Sequence, residues 1–113
     1  MSVMQRVIMK FLPGKMVEGM GLLKERMDTI KKLGIYFPPA KVYTPYIGGG
    51  NTMHTMIIEI EWDSLSAMAD FYEKTSAHSE IMSTMPKWEK VEESHTLELY
   101  GVMPDEQVKQ IIG

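Results

Sequence analysis

The segment TMHTMIIEIEWDSL, residues 52–65, decides how this chain folds. Its apolar and polar residues alternate with a period of two, which is typical of a β-strand. Asp63-Ser64 then supplies the residue types that cap the start of a helix. One face of the predicted strand carries His54, Met56, Ile58, Ile60 and Trp62. The sequence therefore predicts a strand over residues 52–62, followed at once by a helix.

A similar strand and helix precede this segment. Residues 3–11 alternate in the same way and are ended by Pro13-Gly14. Apolar residues then recur at spacings of four and three, which predicts one stripe of an amphipathic helix. The stripe consists of Met16, Met20, Leu23, Met27 and Ile30. Gly19 and Gly21 disfavour a helix interior, so we expect close packing against a strand to explain them.

The remaining elements are bounded by proline, glycine and serine. Residues 41–47 read as a short strand, with Pro45 marking an edge or a bulge. The Gly-rich turn at 48–51 is expected to be mobile. The helix after Ser64 should break at Thr75-Ser76, with a second helical piece over 77–85 that ends at Pro86. A last strand over 94–102 and a short helix from Pro104 complete the chain.

This order defines an α+β fold class. Two β-α-β halves give a ferredoxin-like, four-stranded antiparallel sheet with helices on one face and the strand order 4-1-3-2. A single domain is expected over 1–113, with a core at 3–102 and a C-terminal helical tail at 103–113. The uncovered sheet face would expose Met4, Ile8, Met53 and Ile57. A homodimer, in the form of a dimeric α+β barrel, is therefore predicted.

Composition excludes several classes of function. The net charge of −3, without a long Lys/Arg run, argues against binding to nucleic acid. With no cysteine, the chain has no thiolate metal site and no cysteine nucleophile, and the cytoplasm is the expected location. No apolar run reaches the length of about 20 residues that spans a membrane. His and Glu residues lack metal-ligand spacing, and no phosphate loop occurs, so neither metal nor cofactor is expected.

The chain resembles the dimeric α+β-barrel superfamily over nearly its whole length. The opening strand followed by Leu12-Pro13-Gly14-Lys15 is similar to the NIPSNAP-like branch. The helix start at Trp62-Asp63-Ser64-Leu65 is shared with antibiotic-biosynthesis monooxygenase-like proteins. Ala77-His78, with Tyr72 before it, resembles the stress-responsive A/B barrel branch that includes plant polyketide cyclases. The resemblance implies the fold of the superfamily, but its motifs are shared among several branches.

The cyclase-like branch also implies roles for individual residues. In that branch a tyrosine and a histidine from the second helical region meet a histidine of the first strand inside a cavity. Tyr72 and His78 match the first two and become the candidate catalytic residues, although a one-residue insertion separates them. Gln5 stands at the strand position, and an amide cannot shuttle a proton near neutral pH. This departure argues against cyclase-type catalysis.

Strand alternation predicts where a small-molecule site would lie. It aims Gln5 and His54, together with His95, at the helix side of the sheet. The candidate ligand-binding residues are Gln5 and His54, together with Trp88 from the helical region that is expected to border the same side. Three hypotheses remain open: a cofactor-independent, monooxygenase- or cyclase-like enzyme acting on a small apolar or aromatic molecule, a non-catalytic ligand-binding dimer, and a structural or interaction module. The twelve methionines suit either an adaptable pocket or a loosely specified core.

Overall fold

A computed structural model describes residues 2–45 and 53–113 of the chain. Within these ranges the strands are β1 (Val3–Phe11), β2 (Ala40–Tyr43), β3 (Thr55–Trp62) and β4 (Glu92–Gly101). The helices are α1 (Met16–Lys32), α2 (Leu65–Ser76), α3 (Ser79–Met82), α4 (Met85–Glu89) and α5 (Asp105–Ile112). The turn at 48–51, which we expected to be mobile, lies outside the described residues.

The four strands form one antiparallel sheet in the order β2-β3-β1-β4. Val3 pairs with Trp62 on one side and with Gly101 on the other, so β1 is a central strand. The predicted strand order and the ferredoxin-like α+β class are therefore confirmed.

The two faces of the sheet differ in how well they are covered. Along β1 the odd-numbered residues are buried and the even-numbered residues are only half-buried. The buried set packs with residues of β3 and the helices in one core, which includes Val7, Met9, Phe11, Ile30, Met56, Ile58, Ile60, Trp62, Phe71, Ile81, Trp88 and Val91. The chain measures 47 × 37 × 17 Å, which is a thin slab with one uncovered face.

Gly19 allows α1 to approach the sheet closely. A Cβ atom at this position would lie within 3.0 Å of three ring carbons of Phe11, a residue that is fully buried. The stripe of α1 that faces the sheet therefore includes Gly19, whereas Met20, which we placed on it, is half exposed. Gly21 has open space around its missing side chain, so close packing explains only one of the two glycines.

Several element boundaries differ from the sequence prediction. β2 ends at Tyr43 rather than at residue 47. Pro86 does not end a helix: it lies in the first turn of α4, where its missing N–H costs nothing. The predicted break after α2 is present, because α2 ends at Ser76 and α3 begins at Ser79. Ser64 caps α2 as predicted, and its hydroxyl accepts a hydrogen bond from the N–H of Ala67 at 3.1 Å.

The pairing of β1 with β4 contains an irregularity near its end. Lys10 pairs with Ser94, but Phe11 pairs with Glu92, so Glu93 is an extra residue on β4. Glu92 therefore shares the helix side of the sheet with Phe11, whereas the carboxylate of Glu93 meets the Lys10 ammonium at 3.0 Å on the other face. We refer to this irregularity as the β4 bulge.

Candidate functional site

Gln5 holds Tyr72 and Trp62 in one hydrogen-bonded chain. The Trp62 indole N–H donates to Gln5 Oε1 at 2.9 Å, and Gln5 Nε2 donates to the Tyr72 hydroxyl at 2.6 Å. An indole can only donate, so it fixes which end of the amide faces Tyr72. The Tyr72 oxygen accepts from Gln5 and keeps its own proton to donate elsewhere. Gln5 is 1 % exposed, so loss of this amide would leave a buried indole N–H unpaired at a cost of about 1–3 kcal/mol.

The helix side of β4 is not covered by the helices. Leu97 lies opposite Val7 and Leu99 lies opposite Gln5, yet these two leucines are 53 % and 50 % exposed. Tyr72 is also partly exposed, and its hydroxyl is tied to Gln5 beside Leu99. We call the surface formed by Leu97, Leu99, His95 and the Tyr72 hydroxyl the β4 trough. It combines two half-exposed apolar side chains with a few oriented polar groups.

His95 and Glu92 form an imidazole–carboxylate pair at the other end of the β4 trough. His95 Nδ1 lies 2.8 Å from Glu92 Oε2, and the Glu92 side chain is largely buried. A carboxylate in this position favours a proton on Nδ1 and leaves Nε2 free to accept one. Alternation identified the face of His95 but missed Glu92, because the β4 bulge moves Glu92 onto the helix side.

His54 does not join Gln5 and Tyr72. It has a φ of 61°, so it lies in the turn before β3 rather than on the strand. Its carbonyl accepts a hydrogen bond from the N–H of Phe11 at 2.9 Å. Phe11 is six strand residues from Gln5, which corresponds to roughly 20 Å. His54 therefore lies at the far end of the sheet from the Gln5–Tyr72 pair.

His78 and Trp88 lie in the broken helical region. His78 is half-buried at the start of α3, and no hydrogen bond of its side chain occurs within the described part of the chain. Trp88 is a core residue of α4. Neither contacts Tyr72 through a hydrogen bond among the described residues.

Arg26 is a further residue near the β4 trough that the sequence analysis did not single out. Its guanidinium carbon lies 5.7 Å from the centre of the Trp88 ring. Burial lowers the pKa of Arg26, while the charges of Glu92 and Tyr72 act in the opposite direction. Arg26 is therefore within electrostatic reach of both ends of the β4 trough. Its i, i+3 and i, i+4 spacing from Leu23 and Ile30 on α1 is the signal that could have identified it.

The uncovered face of the sheet has a polar centre. Arg6 Nη2 meets Glu59 Oε2 at 3.0 Å, and this hydrogen bond raises the pKa of Arg6. Arg6 also lies 3.6 Å from Glu98 and 5.4 Å from the centre of the Tyr100 ring. Half-buried apolar residues surround this cluster; they are Met4, Ile8 and Ile57. Three of the four predicted residues therefore form the apolar patch around an ion cluster, whereas Met53 lies in the turn before β3 rather than on the strand.

Two cavities lie away from Tyr72. One of about 690 Å³ is on the uncovered face, beside Met4 and Tyr100. The other, of about 280 Å³, lies between Trp62, Phe71 and the loop before β2. Among residues 2–45 and 53–113, no three His, Asp or Glu side chains lie close enough together to hold a metal ion. The helices of these residues are too short or too polar to cross a membrane.

Solved structures of other proteins share the fold of this chain. No family model and no curated protein matches the chain. A NIPSNAP family protein from Agrobacterium tumefaciens superposes with a TM-score of 0.76 and 17% identity, covering 93% of this chain and 96% of that one. A NIPSNAP-like domain protein from Burkholderia xenovorans gives 0.75 and 11%, covering 92% and 87%. A conserved protein from Methanosarcina mazei gives 0.65 and 13%, covering 90% and 93%. The chain has a NIPSNAP-like α+β fold.

Proposed function

We propose that this chain is a homodimeric protein that binds a small apolar or aromatic molecule in the β4 trough. The observation that supports this function is the half-exposed pair Leu97 and Leu99 beside the fixed Tyr72 hydroxyl. Apolar side chains on an inner sheet face are normally covered by a helix, so this pair offers a ready surface for an apolar ligand. The Tyr72 proton would orient a carbonyl or hydroxyl group of that ligand.

The homodimer follows from the uncovered sheet face. Ile8 and Ile57 are paired on this face, and Met4 lies on the same face of β1, four residues before Ile8. A second copy that places its own sheet against this face would remove them from water. Arg6 would then lie inside the interface already paired with Glu59 at 3.0 Å and close to Glu98. Paired charges tolerate such burial, whereas an unpaired arginine would not.

Proton transfer without a cofactor is a second candidate function. The observation that favours it is the His95–Glu92 pair, which is built like a general base and its orienting carboxylate. His78 is the other candidate base, because it resembles the histidine of the cyclase-like branch. The histidine would take a proton from a C–H group of the substrate and later return one, while the Tyr72 hydroxyl would orient a polar group at the other end of the substrate.

Binding can be tested with acetonaphthone and ethylnaphthalene, which have similar shapes but differ in the carbonyl oxygen. We expect both to bind the wild-type protein in calorimetry. Tyr72→Phe should weaken acetonaphthone binding by about 3- to 10-fold, the equivalent of one hydrogen bond, and leave ethylnaphthalene unchanged. Tyr36→Phe is the matched control, because Tyr36 is exposed on the loop before β2. Failure of the wild type to bind either probe would contradict the proposed function.

Catalysis can be tested by exchange of the acetonaphthone methyl protons in deuterated water, followed by NMR. If the second function holds, the wild type accelerates exchange, and loss of the base lowers the rate by about 100-fold or more. We expect this loss in His78→Ala with the fold unchanged, since His78 is half-buried at a helix start. His95→Ala shows whether the His95–Glu92 pair acts instead. A wild type that binds acetonaphthone without exchange would leave binding as the function.

A further inference from the structure

We propose that Arg26 and Trp88 form the anchor for a carboxylate group of the ligand. The ligand class would then be an apolar or aromatic carboxylic acid, with its body on the β4 trough and its acidic group at α1 and α4. This inference rests on the proposed binding function and names the chemistry that it recognises.

The first observation concerns the hydrogen-bonding edge of Arg26. Its Nε is buried and has no hydrogen-bond partner within the described residues. The adjacent Nη2 donates only to the sulfur of Met85, at 3.3 Å. Nε and Nη2 are the two donors that a carboxylate engages side-on in a bidentate pair. The strongest binding edge of this guanidinium therefore meets only one weak acceptor.

The second observation is that Trp88 carries a matching unpaired donor. Trp88 is 7 % exposed, and its buried indole Nε1 has no acceptor among the described residues. The other tryptophan, Trp62, donates to Gln5. Buried N–H groups are nearly always hydrogen-bonded, so two unpaired donors on contacting side chains indicate that an acceptor belongs there.

The neighbouring charges favour an anion at this point. Arg26 lies over the Trp88 ring and has no carboxylate within ion-pair distance among the described residues. Glu92 is within electrostatic range but is held by His95 at 2.8 Å. A monoanionic carboxylate suits these apolar surroundings better than a phosphate, because it loses less hydration on burial.

Met85 provides the route to the anchor. Its side chain is partly exposed at the first residue of α4, and methionine changes rotamer readily. Rotation of the thioether would free Nη2 and open the side-on edge. The anchor lies at the His95–Glu92 end of the β4 trough, because α4, which carries Trp88, ends at Glu89 and β4 begins at Glu92.

The test compares naphthoate with naphthamide, which differ mainly in charge, by calorimetry and by NMR of the two indole N–H signals. We expect naphthoate to bind the wild type at least 10-fold more tightly than naphthamide. Naphthoate should shift the Trp88 indole N–H signal downfield, while the Trp62 signal, already hydrogen-bonded, stays in place. Trp88→Phe assigns the two signals.

Arg26→Met should remove the preference for naphthoate and leave naphthamide binding unchanged. Lys24→Met is the matched control, because it removes the same charge from an exposed position on α1. If Arg26→Met does not fold, Trp88→Phe should still weaken naphthoate binding several-fold and spare naphthamide. Equal wild-type affinities, or equal losses in Lys24→Met, would overturn the anchor. Binding of naphthamide without such a preference would leave the proposed function intact, whereas no binding of either probe would overturn both.

Discussion

Gly19→Ala is expected to lower the free energy of unfolding by about 1–3 kcal/mol, the usual cost of overpacking a core. The added methyl group would overlap three ring carbons of Phe11, which is fully buried and cannot move aside into solvent. Alanine favours the helical conformation over glycine by up to about 1 kcal/mol, so the steric cost must exceed this gain. Urea unfolding followed by circular dichroism measures the difference.

Gly21→Ala is the control for that prediction. It lies two residues along α1 in open space, so only the helix propensity changes. We expect it to stabilise the protein by up to about 1 kcal/mol. Opposite signs for the two variants would establish the contact between α1 and β1. If Gly19→Ala were as stable as Gly21→Ala, the close packing of Gly19 on Phe11 would be wrong.

Ile8→Glu should convert the proposed homodimer to monomers. Ile8 lies between Ile57 and Thr96 at the middle of the uncovered sheet face. Arg6 and Lys10 on the same face are already paired with Glu59 and Glu93. A carboxylate at position 8 would therefore be buried without a free partner on dimerisation, at a cost of several kcal/mol, which raises the dissociation constant by a factor of a thousand or more. Sedimentation at micromolar concentration should give twice the chain mass of 12.9 kDa for the wild type and the chain mass for the variant.

Val17→Glu controls for the added charge. Val17 is 84 % exposed on α1, away from the sheet face, so this variant should sediment as the wild type does. The dimer proposal fails if the wild type is monomeric at this concentration, or if Ile8→Glu remains dimeric. Circular dichroism of Ile8→Glu checks that the monomer keeps its fold.

The fold could be predicted from the sequence because its signals are local and repeated. Alternation in residues 3–11 and 55–62 marks the two central strands, and Ser64 marks the start of α2. Once these elements are in order, the right-handed crossover leaves few possible topologies. The ends of helices were harder to predict where one residue type can either begin or end a helix. Pro86 can end a helix or begin one, and only tertiary packing decides which.

The positions of some candidate residues could be predicted from the sequence. Alternation along β1 and the position of the second helical region predicted that Gln5 and Tyr72 lie on the same side of the sheet. Their side chains are hydrogen-bonded there. His54 was misplaced because parity applies only within a strand, and a left-handed φ removes His54 from β3. The contact of Arg26 with Trp88 was missed because it joins α1 to α4; spacing within α1 can place Arg26 beside core residues but cannot identify a partner on another helix.

The β4 bulge shifts the alternation of side chains between the start of β4 and the rest of the strand. Residues from Ser94 onward follow one parity, and Glu92 follows the other. Deleting Glu93 would remove the bulge but keep Glu92 on the helix side, because Glu92 would then stand two positions before His95 in a regular strand. The Glu92–His95 pair would survive such a deletion, whereas Lys10 on the other face would lose its partner Glu93. The extra residue therefore adds an ion pair to the uncovered face without displacing the pair on the helix side.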